Sequence, residues 1–258
     1  MRSGVLLAGV LLAVALPPHR AWCRDPDALW KIVHGRCVPD MQANHTPAPC
    51  VGVDPAGSAV LKDIKGASQY LLIPTARITG IEAPEILAPG VPNYFARAWS
   101  VTSLVDERVH RRLPREDFAL AINSMDGRSQ NQLHIHVDCI RPDIHLALDQ
   151  ALPGIGTHWQ TLPMPLASHR YRAIWLPGAE LGDTDPFQVL ARSLADPAHE
   201  MGRHTLVLVG ADRQGTPGFI LLDGQADATT GIIGSALGLA PGSGEELEDH
   251  ACRIAAAP

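Results

Sequence analysis

The chain has 258 residues, 46% of them hydrophobic, which is enough to bury a substantial core in one large domain or two of ordinary size. Its formal net charge is −6, from 27 acidic and 21 basic residues, with neither a basic block nor an acidic tail. This balance argues against a nucleic-acid-binding protein and is typical of an ordinary globular one.

Residues 1–22 predict a targeting segment. Arg2 precedes an unbroken apolar stretch from Gly4 to Leu16, and two prolines follow. Its helix would be about 20 Å long, short of the roughly 30 Å hydrocarbon core of a bilayer, so the length suits a signal peptide better than a full span. We therefore expect export. The segment is either cleaved, or kept as an anchor that holds the protein on the outer face of a membrane.

Export places the cysteines in an oxidising compartment, where an even set favours disulfides. Cys23 lies at the end of the targeting segment, leaving Cys37, Cys50, Cys139 and Cys252. Of three possible pairings we favour Cys37 with Cys50, across a proline-rich loop, and Cys139 with Cys252, which would tie the C-terminal tail to a strand. The alternative, a Cys/His metal site, lacks the usual C-x-x-C spacing.

The first half of the chain predicts an α+β unit. "VLKDIKGASQYLLIPTARITG", from Val60, reads as two strands around a Lys65-Gly66 turn. A helix beginning at Pro92 follows over "NYFARAWSVTSLVDERV". "FALAINSMDGRSQNQLHIHVDCI" then predicts two strands joined by a turn at Asp126-Gly127.

The second half predicts the same order more faintly. "YRAIWLPGAEL", from Tyr171, is similar to "YLLIPTARI"; "DPFQVLARSL" predicts the matching helix, and "HTLVLVGADRQGTPGFILLDG" predicts strand, turn and strand. Here "FILL" stands where the first half has "HIHV". We expect a duplicated unit, with a catalytic half at 23–150 and a degenerate half without the histidines at 151–258. The alternative is chance similarity between two α+β segments.

The stretch around His134 and His136 carries the chemistry. Because alternate side chains on a strand share a face, Gln132, His134 and His136 line one side, and the apolar residues at 133, 135 and 137 face the core. A lone histidine is usually structural, but two in register beside a glutamine indicate a functional site.

Two chemistries use such a pair. "HIHVD" begins the H-x-H-x-D-H pattern of metallohydrolases, but Cys139 stands where its last histidine belongs, and the histidines at 145, 158, 169, 199, 204 and 250 fall in no ligand pattern. The other is nucleophilic attack by a neutral imidazole on phosphorus, which forms a phosphoramidate that water then cleaves. It requires an oriented ring and donors for the phosphoryl oxygens.

The blocks "LKDI…QYLLIPTARITG" and "ALAINS..GRSQNQLHIHVDCIRPD", with the cysteine positions, resemble a known family. The histidine stretch is similar to the signature of the histidine triad (HIT) superfamily of nucleotide hydrolases and transferases, and the longer blocks resemble its bacterial, membrane-associated member family, the CDP-diacylglycerol pyrophosphatases. The resemblance covers roughly residues 29–252. It implies a HIT-like antiparallel sheet with helices.

The resemblance also implies an activity, the hydrolysis of CDP-diacylglycerol to CMP and phosphatidate without metal or other cofactor. His134 matches the nucleophile and His136 the third triad histidine, whereas Gln132 replaces the first and cannot hold a proton as imidazolium does. Substrate-binding positions are expected at Asn123, Arg128, Ser129, Asp63 and Arg77. Of these, Arg77 is expected to end a strand and reach the same cleft as Arg128.

Partners and location follow from the same resemblance. We expect action at a membrane surface, on the periplasmic side of a bacterial inner membrane or free in the periplasm, by a monomer or weak dimer. Two alternatives stay open: a nucleotide- or lipid-binding protein whose catalysis is impaired by Gln132, and a metal-dependent hydrolase.

Overall fold

A computed structural model of the chain describes residues 25–226 and 242–256. Its centre is a nine-stranded sheet in which every adjacent pair is antiparallel. The strands are β1 Gly52–Asp54, β2 Ser58–Lys62, β3 Tyr70–Pro74, β4 Phe118–Ile122, β5 Ile135–Cys139, β6 Gln160–Thr161, β7 Tyr171–Pro177, β8 His204–Arg213 and β9 Thr216–Gln225. The α+β prediction is confirmed.

The order of the strands is β1-β2-β3-β5-β4-β8-β9-β7-β6. From the central β4–β8 pair outward, one side reads β5, β3, β2 and the other reads β9, β7, β6. Each side is built from two successive hairpins of the chain with a helix between them. The two halves therefore meet edge to edge in one continuous sheet.

Short helices surround this sheet. They are α1 Ala28–Ile32, which runs through a π-helical turn at Val33–Cys37 into α2 Val38–Asn44, then α3 Tyr94–Ser100, α4 Ser103–Val109, α5 Pro142–Ala151, α6 Pro186–Ala191 and α7 Pro197–Glu200. No helix within residues 25–226 and 242–256 has the length and apolar character needed to cross a bilayer. The predicted targeting segment, residues 1–22, lies outside the described residues.

One predicted helix is in fact two. Asn93, not Pro92, caps α3, because its side chain accepts a hydrogen bond from the amide of Ala96 at 3.1 Å. The helix ends at Ser100 and a new one begins at Ser103. At the break the Thr102 hydroxyl donates to the carbonyl of Trp99 at 2.9 Å, a local bond of the kind that competes with the helical ladder.

The core lies on both sides of the sheet. On one side, α3, α4 and α6 cover a large apolar cluster that includes Leu72, Ile135, Val137, Leu120 and Leu208. The other side, which we call the histidine face, carries two separate apolar clusters, one under the N-terminal helices over β2 and β3, and one under α5 over β4, β8 and β9. The histidines lie between these two clusters.

A row of directly paired residues crosses the histidine face. His136 on β5 pairs with Leu71 on β3 and with Ala121 on β4; Ala121 pairs with Val207, which pairs with Leu222 on β9. The expectation that "FILL" aligns with "HIHV" is therefore wrong by one residue, since Phe219 and Leu221 belong to the opposite side. Ile220 and Leu222 share the histidine face, where both are buried in the cluster to which α5 contributes Ile144 and Leu148.

Both predicted disulfides are confirmed. Cys37 and Cys50 join the π-helical turn ahead of α2 to the segment just before β1, with Cα atoms 5.6 Å apart. Cys139 and Cys252 join β5 to the C-terminal segment with Cα atoms 5.2 Å apart. The second bond lies in the large cluster on the opposite side of the sheet and fixes the end of residues 242–252. Ahead of it, Glu245 and His250 reach the histidine face beside His136 and Asp138, and the amide of Asp249 donates to the carbonyl of Cys139 at 2.8 Å.

Candidate active site

The predicted alternation along the histidine stretch is confirmed. Leu133, Ile135 and Val137 are buried in the large cluster, and His134 and His136 lie on the histidine face. The strand, however, begins only at Ile135, so that Gln132 and His134 belong to the loop that precedes it. That loop spans residues 123–134, with the expected turn at 125–127.

Gln132 is an anchor for this loop. It is fully buried, and its amide nitrogen donates to the carbonyls of Pro74, the last residue of β3, at 3.0 Å and of Ala76 at 2.9 Å. Both amide hydrogens are therefore committed to the backbone. Its oxygen Oε1 is buried without a hydrogen-bond partner among the described residues. In this arrangement Gln132 has an acceptor to offer, but no donor.

His134 is held in one tautomer. Its Nδ1 lies 2.7 Å from the carbonyl oxygen of Gln132, and because a carbonyl only accepts, Nδ1 carries the hydrogen. Nε2 is thereby left with a lone pair. Burial lowers the pKa of His134 below its ordinary value, so the ring is neutral near pH 7. A neutral imidazole with an oriented free nitrogen is what nucleophilic attack requires.

His136 has the opposite tautomer. Its Nδ1 accepts a hydrogen bond from the amide nitrogen of Gln69 at 3.0 Å, so Nε2 carries the hydrogen. Nε2 is 3.2 Å from the Glu245 carboxylate, without the alignment of a hydrogen bond. Burial, and then the nearby ring of His134 at a centroid distance of 4.9 Å, lower the pKa of His136 well below its usual range. His136 therefore presents a neutral N–H donor beside the ring of His134.

The C-terminal segment closes the site, which the sequence analysis did not predict. The amide of Glu245 and the hydroxyl of Ser243 approach the side-chain oxygen of Asn123 at 3.3 and 3.2 Å. Asn123, buried at the end of β4, thus fixes the segment that brings Glu245 to His136. The predicted Cys139–Cys252 disulfide was the available signal, because it ties the run "EELEDHAC" to β5.

Arg128 is paired rather than free. Its guanidinium makes two hydrogen bonds to the Glu82 carboxylate, at 2.6 and 2.7 Å, and its side chain is only 10% exposed. Gly80 makes room for it, since a Cβ there would come within 2.4 Å of a guanidinium nitrogen. The pair fastens the loop before β5 to the segment after β3.

The remaining predicted binding residues are spread around the site. Asp63 follows β2, and its carboxylate accepts a hydrogen bond from the amide of Lys65 at 3.0 Å. Ser129 is exposed in the loop that precedes β5. The expectation that Arg77 ends a strand is wrong: β3 ends at Pro74, and Arg77 pairs with Asp27 ahead of α1. The contacts of Arg77 are thus with the N-terminal helical segment.

One group of ligand-type side chains lies beside the histidines. Among the residues that the structure describes, one set of three His, Cys, Asp or Glu side chains is close enough to share an ion. It consists of Asp138, Glu248 and His250. Neither His134 nor His136 belongs to that group. The H-x-H-x-D reading is thus not supported at the histidine pair itself.

One known protein family matches nearly the whole chain. Residues 24–256 match the family model described as CDP-diacylglycerol pyrophosphatase. The chain belongs to the CDP-diacylglycerol pyrophosphatase family. CDP-diacylglycerol pyrophosphatases are hydrolases of an anhydride bond, so the chain is an enzyme whose substrate is CDP-diacylglycerol.

Membership in the CDP-diacylglycerol pyrophosphatase family confirms the resemblance read from the two sequence blocks. The family match extends over both halves of the sheet and the C-terminal segment. The roles of individual side chains stay predictions, and the local geometry described above is what supports them.

Proposed function

We propose that this CDP-diacylglycerol pyrophosphatase works through a covalent intermediate on His134. Nε2 of His134 attacks the phosphorus of the cytidylyl group; the N–P bond forms and the bridging P–O bond breaks, releasing phosphatidate. Water then attacks the same phosphorus, the N–P bond breaks and CMP leaves. The observation that carries this proposal is the 2.7 Å contact of His134 Nδ1 with the Gln132 carbonyl, which frees Nε2.

The other residues have supporting roles in this proposal. His136 donates its Nε2 hydrogen to a phosphoryl oxygen, displacing the Glu245 carboxylate that now lies 3.2 Å away. Gln132 positions His134 through its carbonyl and its anchored side chain. It supplies no proton to the leaving group. Phosphatidate tolerates this, because a phosphate leaves with far less protonation than an alcohol.

We assign substrate contacts to the loops around the pair. Ser129 and Asp63 lie at positions suited to phosphate and ribose, and Asn123 acts by holding the C-terminal segment. Arg128 borders a small cavity of about 10 Å³ shared with Gln132 and His134, and it acts there while still bound to Glu82. Arg77 is the least supported of the predicted set, because its guanidinium is turned toward Asp27.

We also propose that the chain is a duplicated HIT-like unit, with halves 23–150 and 151–258. The strand order supports this, since it is the same on either side of the β4–β8 pair. In the second half Ile220 and Leu222 replace the histidines and are covered by α5. Such an internal doublet leaves a single chain sufficient for one active site, as a monomer or weak dimer.

We propose export as the setting for this activity. The two disulfides favour an oxidising compartment. CDP-diacylglycerol is a lipid, so the enzyme must work at a membrane surface, whether it is held by residues 1–22 or released after cleavage into the periplasm.

The test is to trap the intermediate. Wild-type enzyme is mixed with cytidine-labelled CDP-diacylglycerol in detergent micelles and quenched in alkali, which spares phosphoramidates, and the protein is analysed by peptide mass spectrometry. Label is expected on His134. His134→Ala should lose label and about a thousandfold or more in turnover while keeping its circular dichroism spectrum. The matched control is His199→Ala, at an exposed histidine.

Three results would overturn the proposal. Full turnover by folded His134→Ala excludes this nucleophile. Turnover by wild type without any labelled protein points instead to direct attack by water, as in a metal-dependent hydrolase. Binding of the substrate without release of CMP marks a site impaired by Gln132.

A further inference from the structure

We propose that Asp138, Glu248 and His250 bind a divalent transition-metal cation next to His136. This site goes beyond the proposed hydrolysis, whose steps use no ion. Asp138 follows His136 by two residues on the same face of β5, on the side away from His134.

The three side chains converge from two segments that are locked together. Asp138 is on β5, two residues after His136, and Glu248 is bridged to Ile140 at the end of that strand. One ligand atom from each of the three lies within 4.8 Å of the others, and His250 Nδ1 is 2.9 Å from Asp138 Oδ2. Ligands with bonds of about 2.1 Å to one ion stand roughly 3 to 4 Å apart. Closing the group on an ion therefore requires only a small shift.

Of the two carboxylates, Asp138 is paired with His250, whereas Glu248 forms no ion pair among the described residues. Asp138 is completely buried and Glu248 is 5% exposed, and Oε1 of Glu248 has no hydrogen-bond partner among the described residues. Two buried carboxylates side by side are costly unless a cation pairs with them.

A second buried side chain next to Glu248 also has an oxygen without a hydrogen-bond partner among the described residues. Gln69 is fully buried, and its amide nitrogen lies 3.3 Å from Glu248 Oε2. Its oxygen Oε1 has no partner within the described part of the chain. Two buried oxygens without partners, on side chains that contact each other, are the pattern that a bound cation satisfies.

The donor set indicates the class of ion. Two carboxylate oxygens and one imidazole nitrogen suit Zn²⁺ or Mn²⁺, whereas Mg²⁺ and Ca²⁺ prefer oxygen alone. Asp138 is also fixed by the Ser68 hydroxyl at 2.5 Å and the Cys139 amide at 2.9 Å. Such outer hydrogen bonds are usual for metal-binding carboxylates. Gln69 would connect this ion to His136.

The test measures binding, not turnover. Purified full-length enzyme is stripped with chelator and dialysed, and Zn²⁺, Mn²⁺ and Mg²⁺ are each titrated into it by isothermal calorimetry. We expect one tight Zn²⁺ or Mn²⁺ site and only weak Mg²⁺ binding. Glu248→Gln and His250→Gln should each weaken that site by about tenfold or more. His250 is 32% exposed, so its variant should fold even if the buried Glu248 variant does not.

Two control variants separate this site from others. His199→Gln alters an exposed histidine 2.8 Å from Asp196 and should bind as wild type does. His134→Asn should also bind as wild type, which excludes the histidine pair as the metal site. Wild-type affinity in folded Glu248→Gln and His250→Gln, or no binding by the wild type, would overturn the proposal. Because no substrate is present, failure of the phosphohistidine mechanism would leave these results unchanged.

Discussion

The pairing of Arg128 with Glu82 makes a quantitative prediction. A double-mutant cycle of Arg128→Met, Glu82→Met and both together should give a coupling free energy of about 2–3 kcal/mol. The two hydrogen bonds are charge-assisted, at 2.6 and 2.7 Å, and the side chains are only 10% and 23% exposed, so water screens them weakly. The single variants should each unfold more easily, because each leaves one charge partly buried and unpaired.

The chain offers a matched control for this cycle. Arg141 and Asp143 also form a pair with two hydrogen bonds, from Nε at 3.0 Å and Nη2 at 2.7 Å, but their side chains are 32% and 61% exposed. Its coupling should not exceed about 1 kcal/mol, as for other surface pairs. The difference between the two cycles isolates the effect of burial.

Urea unfolding followed by tryptophan fluorescence, with disulfides intact, measures each corner of both cycles. A coupling below about 0.5 kcal/mol for Arg128 and Glu82, or one equal to that of the surface pair, would refute the reasoning. Arg128 would then be free to grip the pyrophosphate directly, as the sequence analysis expected.

Two further predictions concern pH and the disulfides. Burial lowers the pKa values of His134 and His136 below 6.5, so the unfolded chain takes up protons at a higher pH than the folded one, and the free energy of unfolding should fall as the pH drops through 6.5. In urea titrations at several pH values, His136→Gln should make this dependence on pH less steep. A dependence as steep as that of the wild type would contradict the prediction. Cys252→Ser should lower the free energy of unfolding by about 4 kcal/mol and should also lower turnover, since the released segment carries Glu245. Cys50→Ser should lower the free energy of unfolding by about 3 kcal/mol in the same assay and leave turnover unchanged. Equal turnover in both serine variants would mean that the segment is not needed.

Local pattern predicted much of this fold. The alternation of apolar and polar residues from Leu133 to Val137 fixed which side of β5 is buried, since a strand has a period of two. The hairpins of the second half and the helix capped by Asp185 were also predictable, because each is determined by residues close together in the sequence. The pairing of the four cysteines followed from export and spacing.

The rest depends on contacts between distant residues. Arg128 finds Glu82 across 46 positions, and Glu248 reaches Gln69 across 179. Nothing local in "EELEDHAC" indicates that it covers two histidines more than a hundred residues earlier. Gln132 was read as a weakened triad position, and only the tertiary structure shows its amide bound to Pro74 and Ala76.

The covering of the histidine face by residues 242–252 has a consequence for biosynthesis. These residues follow all nine strands along the chain, so a growing polypeptide can complete its sheet before the cover over its histidines has been synthesised. A product that stops before residue 242 would lack both Glu245 and the disulfide partner of Cys139, and its two imidazoles would have no such cover.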